Sequence, residues 1–150
     1  MPLGLDTSSA DIMIKVFMIF ALIGVVFMAY VRLAPHNLQA WHRVPEVKQD
    51  QDLVGGAVRV VPYTAELFTT LNQVAQSAPR STRLAGAVDD GHVTYVVRSL
   101  VFGFPDYVTI WTDKETIVLY SRLRFGQSDL GVNKKRLEAW IHAAQNTSGS

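Results

Sequence analysis

The chain has 150 residues, enough for one domain of ordinary size but not comfortably for two. Its formal net charge is +1, with 14 Lys and Arg against 13 Asp and Glu, so it lacks the basic excess that nucleic-acid binding normally needs. The absence of cysteine excludes a thiol nucleophile and a palmitoyl anchor and is compatible with either redox compartment.

Apolar residues are concentrated in one stretch that begins at Ile12. The run IMIKVFMIFALIGVVFMAYV has the length needed to cross a hydrocarbon core of about 30 Å as a helix. Its single charged residue, Lys15, can reach the interface, and a core helix would normally show a polar face that this run lacks. No small-residue cleavage site follows the run. We predict an N-terminal tail over residues 1–11 and an uncleaved single-pass anchor over residues 12–32.

Two signals disagree about the side of the membrane on which the rest of the chain lies. Arg32 ends the anchor and Arg43 and Lys48 follow it on the same side, and basic residues near a membrane usually stay in the cytoplasm. The short tail before the anchor is instead the usual layout of a signal anchor that exports the following segment.

Residues 33–56 contain two prolines, two histidines and several charges without hydrophobic periodicity, which predicts an irregular tether. Trp41 and His42 lie within it. We assign this pair a membrane-proximal contact, which is either an anchor at the membrane interface or a plug on the domain edge, or else a contact with another membrane protein. Beyond the tether we predict a folded domain over residues 57–146 and a disordered polar tail over residues 147–150.

Within the domain, period-two and helical patterns alternate with short turns. Strands are predicted at 57–63, 82–88, 92–102, 106–113 and 115–124, and helices at 64–78 and 132–145. The turns Asp89-Asp90-Gly91 and Lys114-Glu115 are short, which favours an antiparallel meander. We therefore predict an α+β fold in which an antiparallel sheet of about five strands is covered on one face by two helices.

The C-terminal part of the domain contains a motif that resembles a known family. The segment SRLRFGQSDLGVNKKRLEAW is similar to the C-terminal signature of the domain of unknown function 1499 family. The matching residues are Ser121, Arg122, Arg124, Gly126, Ser128, Asp129, Gly131, Asn133 and Arg136. Gly103, Phe104 and Asp106 resemble the family's Gly-Phe-x-Asp turn, although Tyr107 stands where the family often has a second acidic residue.

The segment YVRLAPHNLQAWHRVP is also similar to the exit from the anchor in membrane-tethered bacterial members of that family. The resemblance covers roughly residues 30–145. It implies a membrane-anchored or exported bacterial domain, also found in photosynthetic organelles, without an established activity. Because the tethered members look exported, and because the tail is short, we expect a single-pass inner-membrane protein whose C-terminal domain is periplasmic.

The motif also supplies the candidate site, for which two interpretations stay open. In the structural one, Asp129 or Asn133 caps the last helix, and Asp129 binds an arginine so that strand, loop and helix are locked together. In the ligand one, the glycine-rich helix entry and the arginines bind a small anion or a lipid headgroup. Arg122 and Arg124 alternate with Ser121 and Leu123, so both should point to one face. The candidate ligand or partner site comprises Arg122, Arg124, Ser128, Asp129, Asn133 and Arg136.

Catalysis and metal binding have less support from the sequence. Ser121 and Ser128 lie outside a Gly-x-Ser-x-Gly elbow, and an Asp129 beside arginines would have a lowered pKa that weakens it as a base. His36, His42 and His142 lack the spacing of metal ligands. We therefore expect no cofactor, no metal and no catalytic residue.

The leading hypothesis from the sequence is a non-catalytic accessory or interaction module that docks on a partner membrane protein or complex. The alternative is a binder of a small anionic ligand or lipid headgroup, or a hydrolase, at Arg122, Arg124, Asp129 and Asn133. The expected partners are the lipid bilayer and a membrane protein, and no nucleic acid.

Overall fold

The structure is a computed structural model that describes residues 7–47, 49–100 and 102–148. These residues divide into two compact units, one ending at Ala34 and the other beginning at Pro35. Most of the predicted tail before the anchor, residues 1–6, lies outside the described residues, as do the last two residues of the chain.

The first unit contains one helix, α1 (Thr7–Leu33), which is five residues longer at its start than the predicted anchor. Its part from Ser8 to Leu33 is long and apolar enough to cross a membrane. The side chains from Ser8 to Tyr30 are exposed, whereas the core helix of a soluble protein would bury one face. The sequence and the structure therefore agree on one helix that can serve as a membrane anchor.

The second unit is built on one antiparallel sheet of six strands in the order β1-β2-β6-β5-β4-β3. The strands are β1 (Gln51–Leu53), β2 (Gly56–Pro62), β3 (Ser81–Ala87), β4 (His92–Arg98), β5 (Pro105–Asp113) and β6 (Thr116–Leu123). The predicted α+β class is confirmed and the strand number is approximately right. The additional strand, β1, lies inside the predicted tether and pairs with β2.

Strand β4 is shorter than the sequence predicts because the chain turns after Arg98. The amide of Ser99 donates to the carbonyl of Phe104 at 2.9 Å, and the Ser99 hydroxyl accepts from the Phe104 amide at 2.9 Å. These two bonds close the β4–β5 loop, Ser99–Phe104, so Leu100 and Phe102 leave the sheet although the composition of this segment resembles a strand.

Helices α3 (Ala65–Ser77) and α4 (Val132–Ser148) cover one face of the sheet, as predicted. Val108 and Ile110 of β5 point into the core beneath them. Thr64 is the N-cap of α3 and accepts from the Leu67 amide at 3.0 Å. Helix α4 continues to Ser148, so residues 147–148 are helical rather than part of a disordered tail. The Thr147 hydroxyl donates to the Ala143 carbonyl at 2.9 Å in this last turn.

The opposite face of the sheet is covered by residues 35–47, which the sequence assigned to an irregular tether. We call this segment the strap. It contains a one-turn helix, α2 (Leu38–Trp41), capped by Asn37, whose side chain accepts from the Ala40 amide at 3.2 Å. At its far end Val47 packs on a small apolar cluster of Val58, Trp111 and Val118. The sheet is therefore covered on both faces, and the strap belongs to the folded domain.

Candidate functional site

Asp129 caps helix α4, as one of the two predicted capping arrangements requires. Its Oδ1 accepts from the Gly131 amide at 3.0 Å, and its Oδ2 accepts from the Asn133 amide at 2.9 Å. Partial burial works to raise the pKa of Asp129, but these amide hydrogen bonds outweigh it and hold the pKa below its ordinary value. Among the described residues no arginine forms an ion pair with Asp129, so the predicted Asp129–arginine lock is wrong.

Asn133 is not the cap but a fully buried residue inside α4. Its Oδ1 accepts from the hydroxyl of Ser121 on β6 and from Nη1 of Arg136 one turn later. Arg136 also donates from Nη1 to the Ser121 hydroxyl at 3.1 Å and from Nη2 to Asp106 at 2.9 Å. Burial raises the pKa of Asp106, and the charge of Arg136 offsets part of that rise. This polar cluster joins β5, β6 and α4 beneath the helix.

Arg122 lies on the other face of β6, under the strap. Its Nη2 donates to the Trp41 carbonyl at 2.8 Å, and its guanidinium carbon lies 4.6 Å from the centre of the Tyr120 ring. Burial lowers the pKa of Arg122. Among the described residues Arg122 forms no ion pair with a carboxylate. Its positive charge is instead stabilised by the Trp41 carbonyl and by the neighbouring aromatic rings.

Arg124 points to the same face as Arg122, as the alternation along the strand predicts. Its Nη1 donates to the Tyr107 hydroxyl at 3.1 Å, and its Nη2 donates to the carbonyl of Pro35, the first residue of the strap, at 3.2 Å. The same hydroxyl lies 2.7 Å from Nδ1 of His36. Tyr107 therefore ties the start of the strap to the sheet.

The predicted six-residue site is thus divided between the two faces of the sheet. Asn133 and Arg136 lie on the helix face and Arg122 and Arg124 on the strap face, while Ser128 is exposed in the loop between them. Cavities of about 640 and 400 Å³ occur in the domain, but other residues line them. The first lies between α3 and the β3–β4 hairpin, and the second lies beside His92 and Trp111.

Trp41 and His42 are packed against the sheet. The Trp41 ring stacks on Tyr107 with 3.9 Å between centroids, and the His42 ring stacks on His92 at the same separation. His42 Nδ1 is also 2.9 Å from the Thr94 hydroxyl. Burial, followed by the charge of His42, lowers the pKa of His92 to about 4. These contacts fit a plug on the domain, whereas a contact with the membrane or with another protein stays a prediction.

Gly86 explains how His42 comes so close to the sheet. A Cβ at this position would lie 2.9 Å from Cε1 of His42 and 2.0 Å from the carbonyl oxygen of His92. Its φ of +79° is also a conformation that favours glycine. The histidine pair and the hairpin therefore require glycine here.

Leu130 is a residue of the motif that no sequence pattern marks as functional. It has a φ of +52°, which is rare for a side chain other than glycine, and the side chain is 88% exposed. The Asp129 amide donates to the Val54 carbonyl at 3.2 Å, which brings the β1–β2 turn beside Leu130. We call the exposed residues Leu53, Val54, Leu130 and Val132 the apolar patch. The sequence carries one signal for this patch, which is a leucine placed among Gly, Ser, Asp and Asn residues.

The described residues contain no group of three or more His, Asp or Glu side chains that could hold a metal ion. The polar side chains of the motif are instead engaged in capping, in the cluster beneath α4 and in holding the strap. These contacts join strand β6, the following loop and helix α4, and the apolar patch lies on the surface of this junction.

Fold and site together define an α+β domain with helices on one face and a strap on the other, preceded by a helix that can cross a membrane. Residues 37–143 match the family model described as Protein of unknown function (DUF1499). The match covers more than half of the chain, so the chain belongs to this family, and the prediction from the C-terminal motif is confirmed. The matched region includes the strap from Asn37 onward. No curated protein matches the chain.

Proposed function

We propose that this protein is a single-pass, membrane-anchored, non-catalytic interaction module of a bacterial inner membrane. Its domain lies on the periplasmic face and docks on a partner membrane protein through the apolar patch. Support for the anchor comes from α1, whose exposed apolar length suits a bilayer.

The observation that carries the proposal is the conformation of Leu130. A left-handed backbone costs a residue other than glycine about 1–2 kcal/mol. Here the Asp129 cap and the adjacent Gly131 hold that conformation, and the side chain they present is apolar and exposed. Strain of this kind persists where the surrounding structure enforces it, and it often marks a functional site.

The surroundings of Leu130 have the composition of a protein interface. Val54 is 74% exposed beside it, and the Lys134–Asp52 ion pair, at 2.7 Å, lies at the border of the patch. An apolar centre with a charged rim is the usual arrangement of such surfaces. Full burial of an exposed Leu or Val side chain contributes about 1.5–3 kcal/mol, so covering Leu130 and Val54 would give the patch an apolar centre that favours docking.

The same contacts argue against a catalytic role for the motif. Both carboxylate oxygens of Asp129 already accept backbone amides, and its lowered pKa makes it a weak base. Ser121 and Asn133 are fully buried and bond to each other. A substrate would have to displace these bonds before reaching either side chain.

The docking test compares Leu130→Gly with Lys114→Gly. Lys114 also has a positive φ, of +53°, but it lies in the β5–β6 turn at the other end of the strands. Both changes relieve left-handed strain, so neither should lower the thermal unfolding temperature. After extraction of native membranes in mild detergent, we expect a stoichiometric membrane-protein partner with the wild type and Lys114→Gly but not with Leu130→Gly. A partner retained by Leu130→Gly, or a lone wild-type chain, would contradict the docking proposal.

The location of the domain can be tested because the chain has no cysteine. A single Lys114→Cys substitution places a thiol at an exposed turn. We expect a membrane-impermeant maleimide to label it in spheroplasts before lysis. Labelling only after lysis would place the domain in the cytoplasm and refute the periplasmic assignment.

A further inference from the structure

An open groove lies between α3 and the hairpin of β3 and β4, at the edge of the sheet opposite to β1 and the apolar patch. Its volume is about 640 Å³, which lies within the range of small-molecule sites. The lining side chains are mostly polar, and they come from the helix, from both strands and from the turn between them. They are Thr69, Asn72, Gln73, Gln76, Ser77, Arg83, Val88, Asp89 and Tyr95. The groove is therefore separate from the junction that the C-terminal motif builds.

The floor of the groove is a buried polar pair. The Tyr95 hydroxyl donates to Oδ1 of Asn72 at 2.8 Å, and Nδ2 of Asn72 donates to the Phe68 carbonyl at 2.8 Å. Burial raises the pKa of Tyr95 to about 12, so the hydroxyl is protonated at neutral pH. Its oxygen can still accept a hydrogen bond from a ligand. The pair gives the groove a fixed polar floor.

One wall of the groove is a polar stripe on α3. Its side chains follow one another at spacings of three, four and seven residues, so they lie on one side of the helix. They are Thr69, Asn72, Gln73 and Gln76. The side-chain amides of Gln73 and Gln76 form no hydrogen bond among the described residues. A side-chain amide both donates and accepts, as a peptide group does, so this wall complements the backbone of a bound peptide.

Two opposite charges line the groove without pairing with each other. Arg83 lies directly across the β3–β4 ladder from Tyr95, so its side chain is on the helix face, and its charge opposes the rise in the Tyr95 pKa. Asp89 lies in the turn beyond the end of β3. Neither side chain forms an ion pair or a hydrogen bond within the part of the chain that the structure describes. A ligand with both signs of charge would complement the two ends of the groove.

The separation of these charges indicates the length of such a ligand. The strand from Arg83 to Ala87 is about 13 Å long, and Asp89 lies two residues further on. An extended tripeptide spans about 10 Å, so its carboxylate and its ammonium group can reach side chains that enter the groove from its two ends. A free amino acid is too short to reach both.

We propose that the groove binds a short peptide, of about three residues, with free termini. Arg83 binds its carboxylate and Asp89 binds its ammonium group. The amides of Gln73 and Gln76 bind the peptide groups between the termini. The pairing of a guanidinium with a carboxylate is a strong and directional contact. The inference goes beyond the proposed function, because it needs neither the membrane anchor nor the apolar patch.

The test measures binding of trialanine to the full chain in a non-ionic detergent by isothermal titration calorimetry. Trialanine is compared with its C-terminal amide and with its N-acetyl form. Each blocked form lacks one of the two terminal charges and therefore one charge-assisted contact. We expect either blocked form to bind the wild type about tenfold more weakly than trialanine does. This comparison uses the wild type alone, so it does not depend on the folding of a variant.

Variants assign the two ends of the peptide. Arg83→Gln should weaken trialanine about tenfold and abolish the preference for trialanine over its amide, because Gln keeps a polar side chain without the charge. Asp89→Asn should do the same for the N-acetyl form. Lys114→Gln is the matched control, since Lys114 is an exposed cation in the β5–β6 turn, and it should leave all three affinities unchanged. Thermal unfolding without ligand shows whether each variant is folded.

Several outcomes would overturn the proposal. They are equal affinities of the wild type for the three probes, no binding of trialanine at millimolar concentration, and an Arg83→Gln chain that still prefers the free carboxylate. Digalacturonic acid has carboxylates but neither an ammonium nor a peptide group, so it should not compete with trialanine. Competition would assign the groove to acidic carbohydrates and refute the peptide. None of these results bears on the membrane anchor or the docking partner, so the two proposals fail separately.

Discussion

Replacing Asp129 by Ala tests whether the motif is built for helix capping. The change removes both hydrogen bonds to the amides of Gly131 and Asn133. Loss of such a cap costs about 0.5–2 kcal/mol. Loss of a carboxylate at a helix N-terminus adds about 0.3–1 kcal/mol. We expect the free energy of unfolding to fall by about 1–2.5 kcal/mol and the unfolding temperature by about 2–10 °C for a chain of this size.

The pH dependence of this loss identifies the carboxylate as its source. The folded pKa of Asp129 lies below its ordinary value of 3.8. Its contribution is therefore complete above the ordinary value and is lost as the pH falls through the folded pKa. The difference between wild type and Asp129→Ala should be largest near neutral pH and should shrink below about pH 4. Asp129→Asn, which keeps an oxygen acceptor, should lose less and show no such pH dependence.

The measurement is thermal unfolding of the full chain in mild detergent, followed by the fluorescence of its tryptophans. Asp89→Ala is the control, since Asp89 is an exposed carboxylate in the β3–β4 turn, and it should change stability by less than about 0.5 kcal/mol. The capping explanation fails if Asp129→Ala is as mild as the control, or if its cost persists undiminished in acid.

Two further predictions concern the strap. Trp41→Ala should lower the free energy of unfolding by about 2–3 kcal/mol, because it removes a ring stacked 3.9 Å from Tyr107. Limited proteolysis should then cleave the strap faster in Trp41→Ala than in Trp41→Phe. Equal cleavage of the two variants would mean that the ring does not hold the strap. Gly86→Ala should cost about 3 kcal/mol or more, because its Cβ would lie 2.0 Å from the His92 carbonyl oxygen. The comparison is Gly126→Ala, which shares a positive φ but faces open space and should cost about 1 kcal/mol; similar losses in the two variants, measured by thermal unfolding, would contradict the steric explanation.

Features determined within a few neighbouring residues were predictable from the sequence. Strand β6 was predicted at 115–124 and occurs at Thr116–Leu123, because the alternation of apolar and polar residues is local. The cap by Asp129 is local in the same way, since its acceptor atoms and the amides they bind are four residues apart at most. The side of the sheet taken by Arg122 and Arg124 follows from the same alternation.

Contacts between distant positions were not predictable, because no pattern along the chain encodes them. The pair of Asp106 and Arg136 joins residues 30 positions apart, and Arg122 binds a carbonyl 81 positions away. The strap shows no hydrophobic periodicity because each of its contacts with the sheet is of a different kind. Trp41 and His42 stack their rings on it, whereas Pro35 contributes only its carbonyl. An irregular composition therefore indicated a tether, although the segment is a layer of the domain.

The strap also determines how far the domain can travel. A flexible tether of 24 residues, as the sequence suggested for residues 33–56, would span about 25–30 Å on average and let the domain sample a wide volume above the bilayer. With Trp41, His42 and Pro35 held on the sheet, almost none of that length remains free. If α1 crosses a bilayer, as we propose, a chain without a free tether would meet its partners mainly within the membrane plane. Partners anchored in the same membrane would then meet it at a higher effective concentration than freely diffusing molecules.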